Sequence, residues 1–252
     1  MENRPSPKNP IIIIPARMGS ARLPGKPLAD IHGEPMVVHV WRRAMESKIG
    51  PVVVACDRTE IAEAVEKAGG NAVLTKPDHQ SGSDRIWEAL NVLEKSRVQY
   101  DAVINVQGDE PMLDPELIRK GYELLRNPDV SIGTLAVEIK DESAKRAEQT
   151  VKAVLNIEAG ADHGRALYFS RMPVPWGKGP LYQHIGLYAY RREALETFVK
   201  AKPAPLEKRE SLEQLRALSL GLRIEVAVVA ATSHPVDTPE DLEEVRKLMG
   251  KK

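Results

Sequence analysis

A dense cluster of positive charge follows the first apolar run of the chain. The run is IIII at residues 11–14, and residues 15–27 then read PARMGSARLPGKP. Arg17, Arg22 and Lys26 therefore lie on a glycine- and proline-rich turn at the end of a predicted buried strand. Such cations can meet several phosphate oxygens at once, and glycines let the backbone approach a ligand. The stretch predicts a site for a strongly anionic ligand.

The spacing of this turn excludes two common phosphate-binding motifs. A P-loop has four residues between its glycines and then lysine followed by serine or threonine. Here five residues separate Gly19 from Gly25, and Pro27 follows Lys26, so no hydroxyl is placed for magnesium. The glycines also lie at other offsets than those of the dinucleotide fingerprint. The alternative to a ligand site is a charged turn that only faces solvent.

Two acidic residues follow other apolar runs. Asp109 comes after an apolar run in VINVQGDEPML (103–113), and Asp237 follows RIEVAVVA in HPVDTPEDLEEV. Mg²⁺ is usually held by one or two carboxylates together with substrate phosphates. Two acids at strand ends beside a cationic loop therefore describe metal-assisted phosphoryl chemistry. The alternatives are that Asp109 and Glu110 only start a turn and that Asp237 only caps a helix.

Alternating strands and helices must hold these residues in place. Continuous apolar runs, which suit strands covered on both faces, occur at residues 11–14, 51–55, 71–75 and 102–106. Helical patterns lie between them in PMVVHVWRRAMES, TEIAEAVEKAG and SDRIWEALNVLEK, with Thr59 or Ser83 as candidate caps. Repeated βα units with right-handed crossovers predict a doubly wound, mostly parallel, Rossmann-like α/β sheet. Ligands bind such sheets at the carboxyl ends of the strands, where the charged residues lie.

The second half of the chain has a different pattern. The strands VSIGTLAVEI, VKAVLNIE, ALYFSR and HIGLYAY are joined by segments too short or too polar for regular crossover helices. They predict a smaller β-rich extension used in dimer contact. Two helical stretches, REALETFVKA and PLEKRESLEQLRALSLG, precede the closing strand RIEVAVVA and helix TPEDLEEVRKLMG. With no repeat, low-complexity tract or clear linker, we expect a single domain over residues 1–252.

The composition narrows the class of protein. The chain has 252 residues, 42% of them hydrophobic, and a formal net charge of +0, which removes the usual electrostatic case for nucleic-acid or acidic-membrane binding. Its single cysteine, Cys56, excludes an internal disulfide framework. No apolar run approaches the roughly 20 residues of a membrane span, and the polar start MENRPSPKNP is unlike a signal peptide. We expect a cytoplasmic protein with neither nucleic-acid nor membrane partners.

Five stretches in this order resemble one enzyme family, the 3-deoxy-manno-octulosonate (Kdo) cytidylyltransferases. They are PARMGSARLPGKPL, DHQSGSDR, NVQGDEPM, LEQLR and VDTPEDL. The resemblance covers essentially the whole chain, from about residue 11 to residue 249. It implies transfer of CMP from CTP to Kdo, giving CMP-Kdo and pyrophosphate for lipopolysaccharide synthesis in Gram-negative bacteria, with Mg²⁺ as cofactor and a homodimer as the assembly.

The resemblance also implies roles for individual residues. The CTP-binding residues, in a part mainly within 11–140, would be Pro15, Ala16, Arg17, Arg22, Lys26, Ser81, Gly82 and Arg85. Asp109 and Asp237 would be the metal ligands and, with Arg22 and Lys26, would form the catalytic set. Ser83 stands where the family more often has threonine, and both side chains offer a hydroxyl.

The sugar would be bound mainly within residues 150–220, the part also expected to make the dimer contact. The implied Kdo-binding residues are Gln107, Arg171, His184, Tyr188, Glu213 and Gln214. From the residues alone, Tyr188 is more often a core aromatic, and His184 is equally explained as a strand-edge histidine. Glu213 and Gln214 lie in a helical stretch whose polar positions generally face solvent, while Arg171 suits a carboxylate. The rival functions are a cytidylyltransferase for 8-amino-Kdo or a sialic acid, and a non-catalytic nucleotide-binding regulator.

Overall fold

A computed structural model describes residues 4–230 and 234–250. The strands, in chain order, are β1 (Pro10–Ala16), β2 (Asp30–Ile31), β3 (Glu34–Pro35), β4 (Val52–Cys56), β5 (Asn71–Leu74), β6 (Ala102–Asn105), β7 (Ile132–Glu138), β8 (Lys152–Ile157), β9 (His163–Ser170), β10 (Tyr182–Arg191) and β11 (Ile224–Val229). The helices are α1 (Met36–Glu46), α2 (Thr59–Lys67), α3 (Gly82–Glu94), α4 (Pro115–Glu123), α5 (Glu142–Arg146), α6 (Arg192–Lys200), α7 (Pro205–Glu210), α8 (Gln214–Ser219) and α9 (Pro239–Met249). Within the described residues, no helix is long and apolar enough to cross a bilayer.

The chain folds into two compact units. The first, the parallel-sheet unit, comprises Asn9–Arg119 and Ser233–Lys252, and the second, the mixed-sheet unit, comprises Met1–Lys8 and Lys120–Thr232, each in its described residues. One of the points at which the chain passes between the units falls within α4, between Arg119 and Lys120. The expectation of a single domain with a nucleotide part and a sugar part stays a prediction.

The parallel-sheet unit contains the predicted βα repeats. Its strands lie in the order β5-β4-β1-β6, and every neighbouring pair is parallel. All four isoleucines of β1, residues 11–14, are completely buried. Because successive strand side chains point to opposite faces, both faces of this sheet are covered. Cys56 at the end of β4 is also buried, and burial raises the pKa of its thiol to about 11, which fits a core residue.

The mixed-sheet unit is largely antiparallel, as the second half of the sequence predicts. Its strands follow the order β10-β7-β11-β9-β8, in which only the pair of β7 and β11 is parallel among the described strands. The first residues of β10 pair with β8 as well. The doubly wound sheet with a β-rich extension is thereby confirmed as a fold class.

Three details of the helices differ from the sequence prediction. The stretch 205–221 is not one helix, because Ser211 adopts a left-handed φ of 54° between α7 and α8. The cap of α3 is Ser81 rather than Ser83, and its hydroxyl oxygen accepts a hydrogen bond from the backbone N–H of Asp84. Thr59 is likewise the first residue of α2 and not its cap.

Candidate active site

The cationic loop leaves the carboxyl end of β1 and is held in a defined shape. The backbone N–H of Met18 donates to the Asp57 carboxylate at 3.0 Å, which ties the loop to the end of neighbouring β4. Gly25 has a φ of 71°, a left-handed conformation that favours glycine, and a short 3₁₀ turn begins at Lys26. This turn directs Lys26 back towards the strand ends, while Arg17 and Arg22 remain exposed.

The loop after β6 packs closely against the end of β1. A side chain on Gly108 would place its Cβ 2.7 Å from the backbone oxygen of Pro15, so only glycine fits here without a shift. The next residue, Asp109, accepts a hydrogen bond at its backbone oxygen from the N–H of Val236 at 2.9 Å. That contact brings the start of the last helical segment to the end of β6.

Asp237 is positioned by the same segment and does not cap α9. Val236 is completely buried in an apolar cluster with Ile31 and Met36, which fixes the chain just before Asp237. The cap is Thr238, whose hydroxyl oxygen accepts the N–H of Asp241, while the Asp241 carboxylate accepts the N–H of Thr238. The alternative interpretation of Asp237 as a helix cap is therefore wrong, and its carboxylate is free to face the loop.

Lys26 joins the two predicted metal ligands. Its Nζ lies 2.6 Å from Oδ2 of Asp109 and 3.0 Å from Oδ1 of Asp237. Arg22 reaches the same Oδ1 of Asp237 with one guanidinium nitrogen at 3.0 Å. Four charged side chains from three separate segments thus form one ion-pair network, here called the charge cluster.

The charge cluster meets the chemical requirements of a magnesium site. Two carboxylates converge on one positively charged group, and oxygen ligands from one or two carboxylates are the protein contribution that Mg²⁺ usually receives. A grouping of three or more acidic, histidine or cysteine side chains is not found in residues 4–230 and 234–250. Phosphate and water oxygens commonly supply the remaining ligands of Mg²⁺ in phosphoryl-transfer sites.

Another cation of the parallel-sheet unit, Arg85 on α3, is buried. The residue is 2% exposed, and its NH1 donates to the Thr75 hydroxyl at 2.5 Å and to the backbone oxygen of Lys76 at 3.1 Å. Burial lowers the pKa of its guanidinium, which nevertheless stays charged. Its buried NH2 nitrogen has no hydrogen-bond partner among the described residues. A buried charged donor without a partner is costly, so this nitrogen marks a position for a ligand acceptor.

The charge cluster and Arg85 line one cavity of about 440 Å³. It is lined by the residues predicted for CTP and for the metal, together with Gln107: Pro15, Ala16, Arg17, Arg22, Lys26, Ser81, Gly82, Arg85, Gln107, Asp109 and Asp237. The volume suits a small-molecule ligand. One part of the wall carries the charge cluster and another the unpartnered Arg85 donor, so the cavity can hold a molecule with a polyanionic part and a planar polar part.

The remaining predicted sugar residues lie in the mixed-sheet unit, and Arg171 is already engaged there. Its guanidinium donates to three backbone oxygens, those of Glu210 at 2.9 Å, Glu148 at 3.1 Å and Ser211 at 3.3 Å. Its own backbone oxygen accepts from the fully buried Lys152. The structure therefore places Arg171 as a link between the end of β9 and the α7–α8 turn.

His184 and Tyr188 lie on β10 in an aromatic row. Their ring centres are 5.3 Å apart, and Phe169 packs edge-on against His184. Burial lowers the pKa of His184 to about 4 and raises the pKa of Tyr188 well above 10, so both rings are neutral at pH 7. The Nε2 of His184 lies 3.0 Å from the Thr134 hydroxyl.

The tautomer of His184 follows from the partners of Thr134. The single hydroxyl proton of Thr134 is best donated to the backbone oxygen of Leu187 at 2.7 Å. The hydroxyl oxygen then accepts from Nε2–H of His184, which leaves Nδ1 as an acceptor for a ligand hydroxyl. His184 can therefore recognise a sugar hydroxyl but cannot supply a positive charge to a carboxylate.

Glu213 and Gln214 lie at the start of α8. Glu213 is the residue before the helix, and Gln214 is its first residue and is buried. Arg216, two residues after Gln214, forms a buried pair with Glu207 that holds α8 against α7 with contacts of 2.5 Å and 2.9 Å. This pair fixes the segment on which the two predicted sugar ligands stand.

Sequence reasoning missed several residues of these sites. Asp57 was not considered, although an acid at the end of a strand next to β1 was a signal of the kind used for Asp109. Gly108 was passed over because a close approach to Pro15 has no mark in a linear sequence. His79 also lines the cavity and pairs with Glu88.

Comparison with known proteins extends the resemblance beyond short motifs. A family model described as Cytidylyltransferase matches residues 11–224. The chain is 55% identical over 240 residues to the 3-deoxy-manno-octulosonate cytidylyltransferase of Paramagnetospirillum magneticum, covering 95% of this chain and 97% of the relative. It is 57% identical over 242 residues to the protein of the same name from Rhodospirillum rubrum, covering 96% of each.

A solved structure agrees with these relatives. CMP:2-keto-3-deoxy-manno-octonic acid synthetase complexed with CTP matches with a TM-score of 0.88 and 41% sequence identity. The match covers 97% of this chain and 99% of that one. The likeness therefore extends over nearly the full length of both molecules.

Proposed function

The chain belongs to the family of 3-deoxy-manno-octulosonate cytidylyltransferases, and we propose that it transfers CMP from CTP to the anomeric 2-hydroxyl of Kdo. The products are CMP-Kdo and pyrophosphate. The observation that carries the proposal is the cavity of the parallel-sheet unit, because every residue predicted for CTP and for the metal lines it. The remaining predictions for this activity are a homodimer, a cytoplasmic location and a role in lipopolysaccharide synthesis.

The cavity suggests how CTP lies in it. Arg17, Arg22 and Lys26 belong to its cationic side and would receive the triphosphate oxygens. Arg85 would bind the base, because its buried NH2 nitrogen can donate a hydrogen bond and the N3 atom of cytosine can accept one. The same atom in uracil carries a proton, so a fixed donor at this position would favour CTP over UTP. Pro15, Ala16, Ser81 and Gly82 would contact the nucleoside between these two ends.

Asp109 and Asp237 would hold Mg²⁺ in this proposal. Their two carboxylates converge on one cation, which is the support that the structure gives. When bound, Mg²⁺ supplies charge neutralisation for the triphosphate and a lower pKa for a coordinated hydroxyl. The number of metal ions stays open in the proposal.

The reaction is a single displacement at the α-phosphorus. The 2-hydroxyl of Kdo gives its proton to solvent, and its oxygen forms a bond to the α-phosphorus. The bond from that phosphorus to the oxygen that bridges to the β-phosphate breaks, and pyrophosphate leaves with the electron pair. Arg22 and Lys26 would stabilise the negative charge that develops on the leaving phosphates. Among the lining residues, His79 pairs with Glu88 and the Ser81 hydroxyl donates to the Asp84 carboxylate, so neither is engaged as a nucleophile with its base. The proposal is direct transfer without a covalent enzyme intermediate.

The proposed Kdo-binding residues are Gln107, in the parallel-sheet unit, and five residues of the mixed-sheet unit. Neutral His184 offers the Nδ1 acceptor to a hydroxyl, and Tyr188 keeps its hydroxyl proton at pH 7 as a donor. Arg171, Glu213 and Gln214 complete the predicted set. The three backbone oxygens that hold Arg171 would have to release at least one of its nitrogens for a carboxylate contact.

One assay tests the proposed function against its rivals. Pyrophosphate release is measured with CTP and Mg²⁺, offering Kdo, 8-amino-Kdo and N-acetylneuraminate in separate reactions. We expect rapid release with Kdo and little with N-acetylneuraminate. Faster release with 8-amino-Kdo or N-acetylneuraminate would reassign the substrate, and release with none of the three would contradict the enzymatic function.

A further inference from the structure

We infer that Lys26 is the resident counter-cation of the two carboxylates in the nucleotide-free protein and competes with the divalent cation for them. Metal and nucleotide would then bind in a coupled manner, because the triphosphate draws Lys26 away from Asp109 and Asp237. This inference rests on the proposed function, which assigns the cation and the nucleotide to the same cavity.

The geometry places Lys26 between both acids. Its ammonium is within 3.0 Å of one oxygen from each carboxylate, and its side chain is only 16% exposed. Three ammonium protons suit this arrangement, since each carboxylate can accept a separate one. Lys26 thereby occupies the point on which the two carboxylates converge, where a metal ion would need to sit.

The charges of the cluster lead to the same conclusion. Lys26 and Arg22 carry two positive charges, Asp109 and Asp237 carry two negative ones, and the four cancel. A divalent cation that approaches the nucleotide-free protein meets a neutral cluster and must also displace an ammonium. When the triphosphate binds, Lys26 and Arg22 gain other anionic partners, and the carboxylates become available to the metal. By linkage, whatever the nucleotide adds to metal affinity, the metal adds to nucleotide affinity.

Lys26 and Arg22 are not equivalent in this respect. Of the two carboxylates, Arg22 contacts that of Asp237, and its side chain is 65% exposed. Solvent and salt therefore screen its electrostatic interaction with that carboxylate. Arg17 lines the same cavity, is exposed, and is not among the described partners of either carboxylate. We therefore expect the loss of one positive charge to change metal binding most at Lys26, less at Arg22 and least at Arg17.

The test measures Mn²⁺ binding to the full chain without nucleotide, using the electron paramagnetic resonance signal of free Mn²⁺. We expect Lys26→Met to bind Mn²⁺ at least about tenfold more tightly than wild type, Arg22→Met to show a smaller gain, and Arg17→Met to stay within about threefold of wild type. A Lys26→Met protein that binds no more tightly than wild type would overturn the inference, as would equal gains in all three variants, which would indicate a general charge effect.

A second variant and a second readout protect the test against misfolding. Lys26→Gln should behave like Lys26→Met, and both should gain more in melting temperature from added Mn²⁺ than wild type does. The outcome is separable from the proposed function through the pyrophosphate assay with wild type. Mg²⁺-dependent release from Kdo and CTP without tighter Mn²⁺ binding in the Lys26 variants would reject the coupling alone, whereas no release would reject the function.

Discussion

The two units of the chain present their candidate site residues in opposite ways. In the parallel-sheet unit, charged side chains stand on loops at strand ends and face a cavity. In the mixed-sheet unit, the candidates are desolvated or already hydrogen-bonded, as for His184 with Thr134 and for Arg171 with three backbone oxygens. The first arrangement suits a polyanionic ligand and a metal ion. The second suits hydrogen bonds between uncharged side chains and the hydroxyl groups of a sugar.

This difference determines what each substitution should do. Removing a charge from the cavity should change catalysis more than stability, because the groups there face one another and solvent. Removing a group from the mixed-sheet unit should change stability and its dependence on pH, because most of the groups there are half-buried and held by hydrogen bonds and ring contacts. The following predictions would sharpen or break this contrast.

The largest effect is expected for Asp109→Asn. The amide keeps the size of the side chain but loses the negative charge that faces Lys26 and, in the proposal, the metal. We expect kcat to fall at least about a hundredfold, the scale of one electrostatic element in a preorganised site. Steady-state pyrophosphate release is the measurement, with the exposed Asp162→Asn as a control that should keep wild-type activity. Loss of less than about threefold would contradict the role of Asp109.

A smaller effect on the choice of nucleotide is expected for Arg85→Lys. Lysine keeps the charge but not the second, unpartnered nitrogen that we assign to cytosine. We expect kcat/KM for CTP to fall about tenfold or more, with little change for UTP, so the ratio between them narrows. Both values are measured with Kdo held constant. An equal loss with both nucleotides would indicate that Arg85 only supports Thr75 and Lys76.

A loss of activity of similar size, but with a steric cause, is expected for Gly108→Ala. The new methyl would meet the Pro15 backbone oxygen at 2.7 Å and push Asp109 away from Lys26. We expect about a tenfold loss of kcat/KM and about 1–2 kcal/mol of lost stability, typical of a local overpacking. Gly19→Ala is the matched control for stability, because a Cβ there meets nothing within 4 Å of the protein. Similar behaviour of the two variants would refute the steric argument.

The smallest effect is expected in the pH dependence of stability and depends on His184. Its folded pKa of about 4 lies below the usual value of 6.5, so protons bind more readily to the unfolded chain between these values. The free energy of unfolding should therefore decline as pH falls from 6.5 towards 4, by about 1–3 kcal/mol from this group. Denaturant unfolding of His184→Gln should show a shallower decline.

The exposed His163→Gln provides the control for that experiment. It should keep the wild-type slope, because its side chain stands in solvent on β9. If His184→Gln and wild type lost stability in parallel over this range, burial of a neutral imidazole at position 184 would be contradicted.

The parallel-sheet unit was the more predictable of the two from sequence. Strands β1, β4, β5 and β6 appear as continuous apolar runs, since both faces of a parallel sheet are covered. Parallel strands end at one edge, so Asp109 and the cationic loop could be expected to meet there. The helix α4 was missed, although its first residues, Pro115 and Glu116, are typical of a helix start.

Other features depend on three-dimensional contacts that have no sequence pattern. The break between α7 and α8 arises from a left-handed serine, Ser211, a conformation that serine rarely adopts. Asp237 and Thr238 are both good caps by residue type. The hydrogen bond from the Asp241 N–H to the Thr238 hydroxyl and the contacts of Asp237 with Lys26 and Arg22 separate their roles. The engagement of Arg171 by backbone oxygens likewise depends on segments far apart in the chain.

The central claim is that the two carboxylates and the cationic loop form one metal–nucleotide site, and Asp237→Asn tests it most directly. The measurement is kcat for pyrophosphate release against Mg²⁺ concentration, for wild type and variant, with melting temperature as a control. Because Thr238 and not Asp237 caps α9, the melting temperature should hardly change. The account predicts at least about a hundredfold lower kcat at low Mg²⁺, with partial recovery as Mg²⁺ rises. An unchanged kcat with unchanged Mg²⁺ dependence would contradict it.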